Sequence, residues 1–130
     1  MDVDMDYDSL TKAGSMLGAG SVIVMDETTC MVRALMRISE FYHEESCGQC
    51  TPCREGTGWL ARVLHRVEHG HGREQDIQLL DDVANKIMGR TICALGDAAA
   101  MPVMSFIKHF RDEFVHHIVH KQCMVGVNNA

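Results

Sequence analysis

The stretch ESCGQCTPCREG, Glu45 to Gly56, sets Cys47, Cys50 and Cys53 at intervals of three in a chain of 130 residues with six cysteines. A chain turning tightly through a C-x2-C-x2-C run can bring three sulfurs around one face of a compact inorganic core. Gly48 permits the backbone angles that such a turn needs. A cluster of four irons asks for a fourth ligand, remote in sequence but near in space, and the candidates are Cys30, Cys93 and Cys123. Cys93 is preferred, because it stands in a connection between two predicted helices that can fold over the end of a bundle. Cys30 reads as a small buried hydrophobe and Cys123 as an exposed thiol of an unpatterned tail. Structural zinc also takes four thiolates, usually from two separated C-x2-C pairs, so the spacing favours iron–sulfur over zinc, with unligated or redox thiols as a further alternative.

Outward from the cysteines the pattern is helical. Met31, Ala34, Leu35, Ile38, Phe41 and Tyr42 recur at three- and four-residue spacing and predict a first helix. A second is expected to start at Pro52 with Thr51 as its cap, burying Trp59, Leu60, Val63, Leu64 and Val67. After a glycine-punctuated loop at 69–74, Ile77, Leu80, Val83, Ala84 and Ile87 make a third stripe closed by Gly89. The segment RTICALGD is read as a connection, and a fourth helix carries Val103, Phe106, Ile107, Phe110, Phe114 and Ile118. The fold expected is therefore mainly α: a small four-helix bundle over residues 28–120, with a frayed tail at 121–130.

Residues 1–27 differ in character. They are acidic, then glycine-rich, and end in VIVM at 22–25, a β-branched run suited to a strand that finds no partner nearby. The glycines at 14, 18 and 20 precede that strand, whereas a dinucleotide fingerprint would follow one, so turns are expected there rather than phosphate binding. With 46% hydrophobic residues and a formal charge of −6, the chain can bury one modest core. Its acidity argues against nucleic acid as a partner. Neither a membrane-spanning run nor a secretory leader is read, which points to a reducing, cytoplasmic-type compartment where close cysteines bind metals more often than they pair.

Among the histidines, His116 and His120 stand one helical turn apart, but no further ligand is placed beside them, and a solvated helix end is the preferred reading. His69 and His71 are read in the same way. His43 is read as a surface residue, with contact behind the cysteine run as the alternative. Arg54, next to Cys53, either favours a reduced cluster through its charge or turns to solvent and pairs with Glu55 or Glu45.

Two separated motifs, EESCGQCTPCREGTGWL at 44–60 and TICALGDAAAMPVMSFIKHFRDEF at 91–114, closely resemble the C-terminal part of the NADH- and FMN-binding flavoprotein subunit of respiratory complex I, NADH:quinone oxidoreductase. MDYDSLTKAGSMLGAGSVIVMDE at 5–27 is similar to the end of that flavoprotein's ubiquitin-like (SLBB-type) middle domain. The resemblance implies one [4Fe–4S] cluster in a four-helix domain, bound by Cys47, Cys50, Cys53 and Cys93, preceded by a strand-containing remnant at 1–27. It also implies a one-electron relay from flavin to the next cluster, with no catalytic residue in this chain. FMN and NAD would be bound only by an N-terminal domain that nothing here matches, so the fragment is not expected to be active alone. The partners implied are the thioredoxin-like iron–sulfur subunit and the large iron–sulfur subunit of the peripheral arm. The implied location is the cytoplasmic face of the inner membrane, or the matrix side in a eukaryote, without membrane insertion. NAD-reducing hydrogenases and NAD-dependent formate dehydrogenases use the same module, and a structural zinc-binding interaction domain is the alternative of another class. One departure is Met101, where the family often has tryptophan.

Overall fold

Four amphipathic stretches with their apolar residues at helical spacing can hide those residues only against one another, and the chain folds accordingly. The computed structural model describes residues 2–125, and its helices are α1 (Tyr7–Lys12), α2 (Met31–Glu44), α3 (Thr51–Glu68), α4 (Asp76–Ile87) and α5 (Leu95–His120). Helices α2 to α5 share one core, in which α3 touches α2, α4 and α5. Leu35, Leu60, Leu64, Leu80, Ile87 and Phe114 are the largest apolar side chains sealed inside it. The chain is mainly α, and no strand occurs among the described residues.

The buried faces of α4 and most of α3 follow the expected stripes, but α2 is rotated from its expected face. It buries Met31, Val32, Leu35, Met36 and Ser39. Phe41 is instead exposed, as is Trp59 of α3. Both stand at helical positions whose facing surface the other helices leave uncovered. Helix α3 begins one residue earlier than expected, with Cys50 rather than Thr51 as its cap residue. Helix α5 takes in Leu95, Gly96 and Asp97, the end of the segment RTICALGD read from the sequence as connection, because the alanine run that follows at 98–100 has the highest intrinsic helix propensity. Its regular backbone is broken at Phe110 (φ −125°, ψ 26°).

Two observations concern the ends. Residues 22–25 form no strand: Val22, Ile23 and Val24 are 71, 75 and 90% exposed, as expected for a β-branched run without a partner strand. The glycine-rich stretch before them makes turns and opens no helix. Helix α1, absent from the sequence reading, forms where the Asp6 carboxylate accepts the Ser9 N–H at 2.7 Å, and it packs on none of the other helices. At the other end, Lys121 (φ 56°) turns the chain back after α5, and Cys123 and Val125 lie against the core. The expected frayed tail is thus folded back over residues 121–125, and its remainder, 126–130, lies outside the described residues.

Candidate metal centre

Helix α3 starts inside the cysteine run. Cys50 occupies the cap position with extended backbone, Thr51 and Pro52 form the first helical residues, and Cys53 falls in the first turn. Proline is well suited there, since its missing N–H would have had no intrahelical acceptor. Upstream, Gly48 takes φ +76°, a conformation that L side chains resist, and this reverses the chain so that Cys47 and Cys50 approach the same space. The second contributor is the connection from α4 to α5. The Asp97 carboxylate accepts the Gly89 N–H at 2.7 Å, and the Thr91 hydroxyl donates to the Cys93 carbonyl at 2.9 Å, so the loop carrying Cys93 is tied at both ends. Gly96 packs against Thr91 so closely that a Cβ there would collide with the Thr91 side chain.

These two segments meet. One cavity of about 250 Å³ is lined by Cys47, Cys50, Cys53 and Cys93, with Ile92 and Leu95 among its apolar walls. Cys53 is buried, Cys50 half-buried, and Cys47 and Cys93 exposed, so the cavity has a dry inner wall and a solvent-facing outer one. The N-termini of α3 and α5 both border it, and the unpaired N–H groups of a helix start favour negative charge.

Hydrogen bonds support the inner wall. The Ser46 Oγ lies 3.3 Å from the Cys53 sulfur. The Thr57 hydroxyl donates to the Cys53 carbonyl at 2.8 Å, and His43 Nδ1 reaches the same hydroxyl at 3.4 Å. His43 is exposed yet acts behind the cysteine run, through Thr57. Arg54 folds over the outside of the loop, donating to the Gly48 carbonyl at 3.0 Å and pairing with Glu55 at 2.9 Å.

The donor set fits an iron–sulfur cluster: four thiols, apolar neighbours and one hydroxyl, that of Ser46, beside a sulfur. It fits a single ion less well. Among the described residues, the three-ligand group whose donor atoms all lie within 4.8 Å of one another is Cys30, His117 and Cys123, not the cavity cysteines. The sequence reading of Cys123 as an exposed tail thiol is therefore corrected, since the reversed chain end brings it to Cys30.

Comparison with known proteins agrees with this chemistry. Residues 33–117 match the family described as NADH-ubiquinone oxidoreductase-F iron-sulfur binding region. The chain belongs to this family. It is 54% identical over 123 residues to an F-type subunit of the NADH-quinone oxidoreductase of Rhizobium meliloti (strain 1021), covering 95% of this chain and 29% of that protein. It is 55% identical over 118 residues to the F-type subunit of the NADH-quinone oxidoreductase of Mycobacterium tuberculosis (strain ATCC 25618 / H37Rv), covering 91% of this chain and 26% of that protein. A crystal structure of a NAD+-reducing [NiFe]-hydrogenase in the H2-reduced state matches with TM-score 0.69 and 32% identity, over 73% of this chain and 16% of that one. The chain thus spans less than a third of the curated relatives it matches. No helix among the described residues is long and apolar enough to cross a membrane.

Within this iron–sulfur family domain, sequence reasoning missed the residues that position the thiols. Ser46, Thr91 and Thr57 carry no motif of their own. Their roles depend on which sulfur or carbonyl the fold sets beside each hydroxyl.

Proposed function

We propose that Cys47, Cys50, Cys53 and Cys93 hold one [4Fe–4S] cluster, and that the domain relays electrons singly from FMN to the next cluster of an NADH:quinone oxidoreductase. The observation that carries this reading is the single cavity lined by all four thiols, from segments forty residues apart in sequence (Cys53 to Cys93). When bound, the cluster supplies reversible one-electron chemistry. The chain's own residues do the rest. Four thiolates hold it, the half-buried Leu95 reduces water's access, and the Ser46 hydroxyl and two helix starts favour added negative charge.

The longer parent would carry the FMN and NADH sites upstream. Residues 1–27 would close its ubiquitin-like middle domain, with the 22–25 run completing a sheet whose other strands lie there. Residues 28–120 would be the cluster domain and 121–130 its tail. Its neighbours would be a thioredoxin-like iron–sulfur subunit and the large iron–sulfur subunit of a peripheral arm, on the cytoplasmic or matrix face of the membrane. The hydrogenase likeness supports a second reading, that the same relay serves an NAD-reducing hydrogenase.

Iron and acid-labile sulfide in anaerobically purified protein test the proposal. Equal amounts of the two, with an EPR signal on reduction that is lost or altered in Cys93→Ser, are expected. Stoichiometric zinc at these cysteines without sulfide, or an unchanged spectrum in Cys93→Ser, would overturn it.

A further inference from the structure

A second constellation of metal-binding side chains stands at the far end of α3. Fifteen residues separate Cys53 from Glu68 along that helix, which is about 22 Å at the helical rise. There Cys30, His117 and Cys123 bring their donor atoms within 4.8 Å of one another. The Cys30 sulfur lies 3.6 Å from His117 Nε2, close to the roughly 3.5 Å edge between sulfur and nitrogen around a tetrahedral zinc ion. The Glu68 Oε2 lies 3.2 Å from His117 Nε2 and 3.7 Å from the Cys30 sulfur.

Each donor is positioned by its neighbours. His117 is fully buried, and its Nδ1 lies 2.9 Å from the Glu113 carbonyl oxygen. A carbonyl can only accept, so Nδ1 carries a proton, and Nε2, 3.2 Å from the Glu68 carboxylate and 3.6 Å from the Cys30 sulfur, is the ring atom that faces the group. Cys30 caps α2, and its sulfur accepts the Arg33 N–H at 3.4 Å, which fixes where the sulfur points. Arg33 also pairs with Glu68 Oε1 at 3.0 Å, which leaves Oε2 facing the group. The left-handed turn at Lys121 carries Cys123 back toward His117, six residues before it in sequence.

We propose that Cys30, His117 and Cys123, with the Glu68 carboxylate as fourth donor, form a structural zinc site separate from the cysteine cavity, which ties the segment after α5 to the start of α2. Two sulfurs, one imidazole and one carboxylate suit zinc better than harder cations, which prefer all-oxygen sites. Binding releases to solvent the two thiol protons and the proton shared between His117 Nε2 and Glu68. Two thiolates, a carboxylate and the divalent ion leave one net negative charge, opposite the Arg33 guanidinium. Without an ion the same cluster is a buried His117–Glu68 pair beside two thiols, an arrangement that explains Glu68 and His117 but gives Cys123 no role.

The test measures zinc and iron together in the full 130-residue chain, purified anaerobically and dialysed against a weak chelator. The expected result is about one zinc per chain besides the iron, with Co2+ in its place giving the intense visible bands of a tetrahedral thiolate site. Cys123→Ser removes a half-buried ligand beyond the last helix, so the core stays folded, as circular dichroism will verify. It should weaken zinc binding at least about tenfold, leaving iron unchanged, and His117→Gln should do the same. Cys93→Ser should lose or convert the iron centre and keep the zinc, so failure of the relay reading and of this one are distinguishable. Wild-type protein without zinc, or zinc retained in both Cys123→Ser and His117→Gln, would overturn the site.

Discussion

The Ser46 Oγ lies 3.3 Å from the Cys53 sulfur and accepts the Gly48 N–H at 3.4 Å, so its own proton is free to point at the sulfur. A hydrogen bond to a cluster ligand strengthens as negative charge is added, and therefore favours the reduced form. Ser46→Ala should lower the midpoint potential by on the order of 40 mV, for a differential of roughly 1 kcal/mol. Redox titration at unchanged iron content checks this. An equal or higher potential would mean the hydroxyl proton points elsewhere.

Arg54 is expected to matter less for potential than its position beside Cys53 suggests. Its side chain is 46% exposed and paired with Glu55, so its charge acts largely through water. At about 10 Å and solvent-like screening the interaction is roughly 0.4 kcal/mol, or about 20 mV for one electron. Arg54→Gln should lower the potential by no more than that, and Glu55→Gln should raise it slightly. A fall above about 60 mV in Arg54→Gln would place the guanidinium much nearer the cluster in effect.

Gly96→Ala should disturb the loop that carries Cys93, because the added methyl collides with Thr91, whose hydroxyl holds the Cys93 carbonyl. We expect reduced iron occupancy with helical content retained. Full iron loading with an unaltered EPR spectrum would show that the loop yields without moving its thiol.

Asp76 is 1% exposed and accepts from Arg66 Nε at 2.8 Å and from the Arg73 N–H at 2.9 Å, joining the end of α3 to the start of α4. Burial alone would raise its pKa, but the Arg66 hydrogen bond, the Arg73 N–H and the two charges hold it below the ordinary carboxylate value. Its contribution is therefore present above the unfolded-state pKa of about 3.9 and is lost as pH falls through the lower folded-state value. Asp76→Asn should cost about 3 kcal/mol at neutral pH, as expected when one partner of a buried pair is removed, and less in strong acid. Denaturant titration across pH checks both. A constant difference down to pH values below the folded pKa would contradict the linkage.

Ligand spacing and helical periodicity are local properties, and both were legible in the sequence. Cys47, Cys50 and Cys53 read as one unit, and the stripes of α4 and most of α3 appear as buried faces because residues three and four apart share a side of any helix. Which side of α2 is covered could not be read in that way. It depends on where the other helices lie, and so Phe41 of α2, like Trp59 of α3, reads as buried in the sequence but stands exposed. The β-branched run at 22–25 showed strand propensity, yet a strand needs a partner, and the described chain offers none. The meeting of Cys30 with His117, 87 residues apart, left no mark in the sequence pattern. Helix propensity and periodicity act over a few residues, whereas that juxtaposition arises from the packing of α2, α3 and α5 and from one left-handed turn at Lys121.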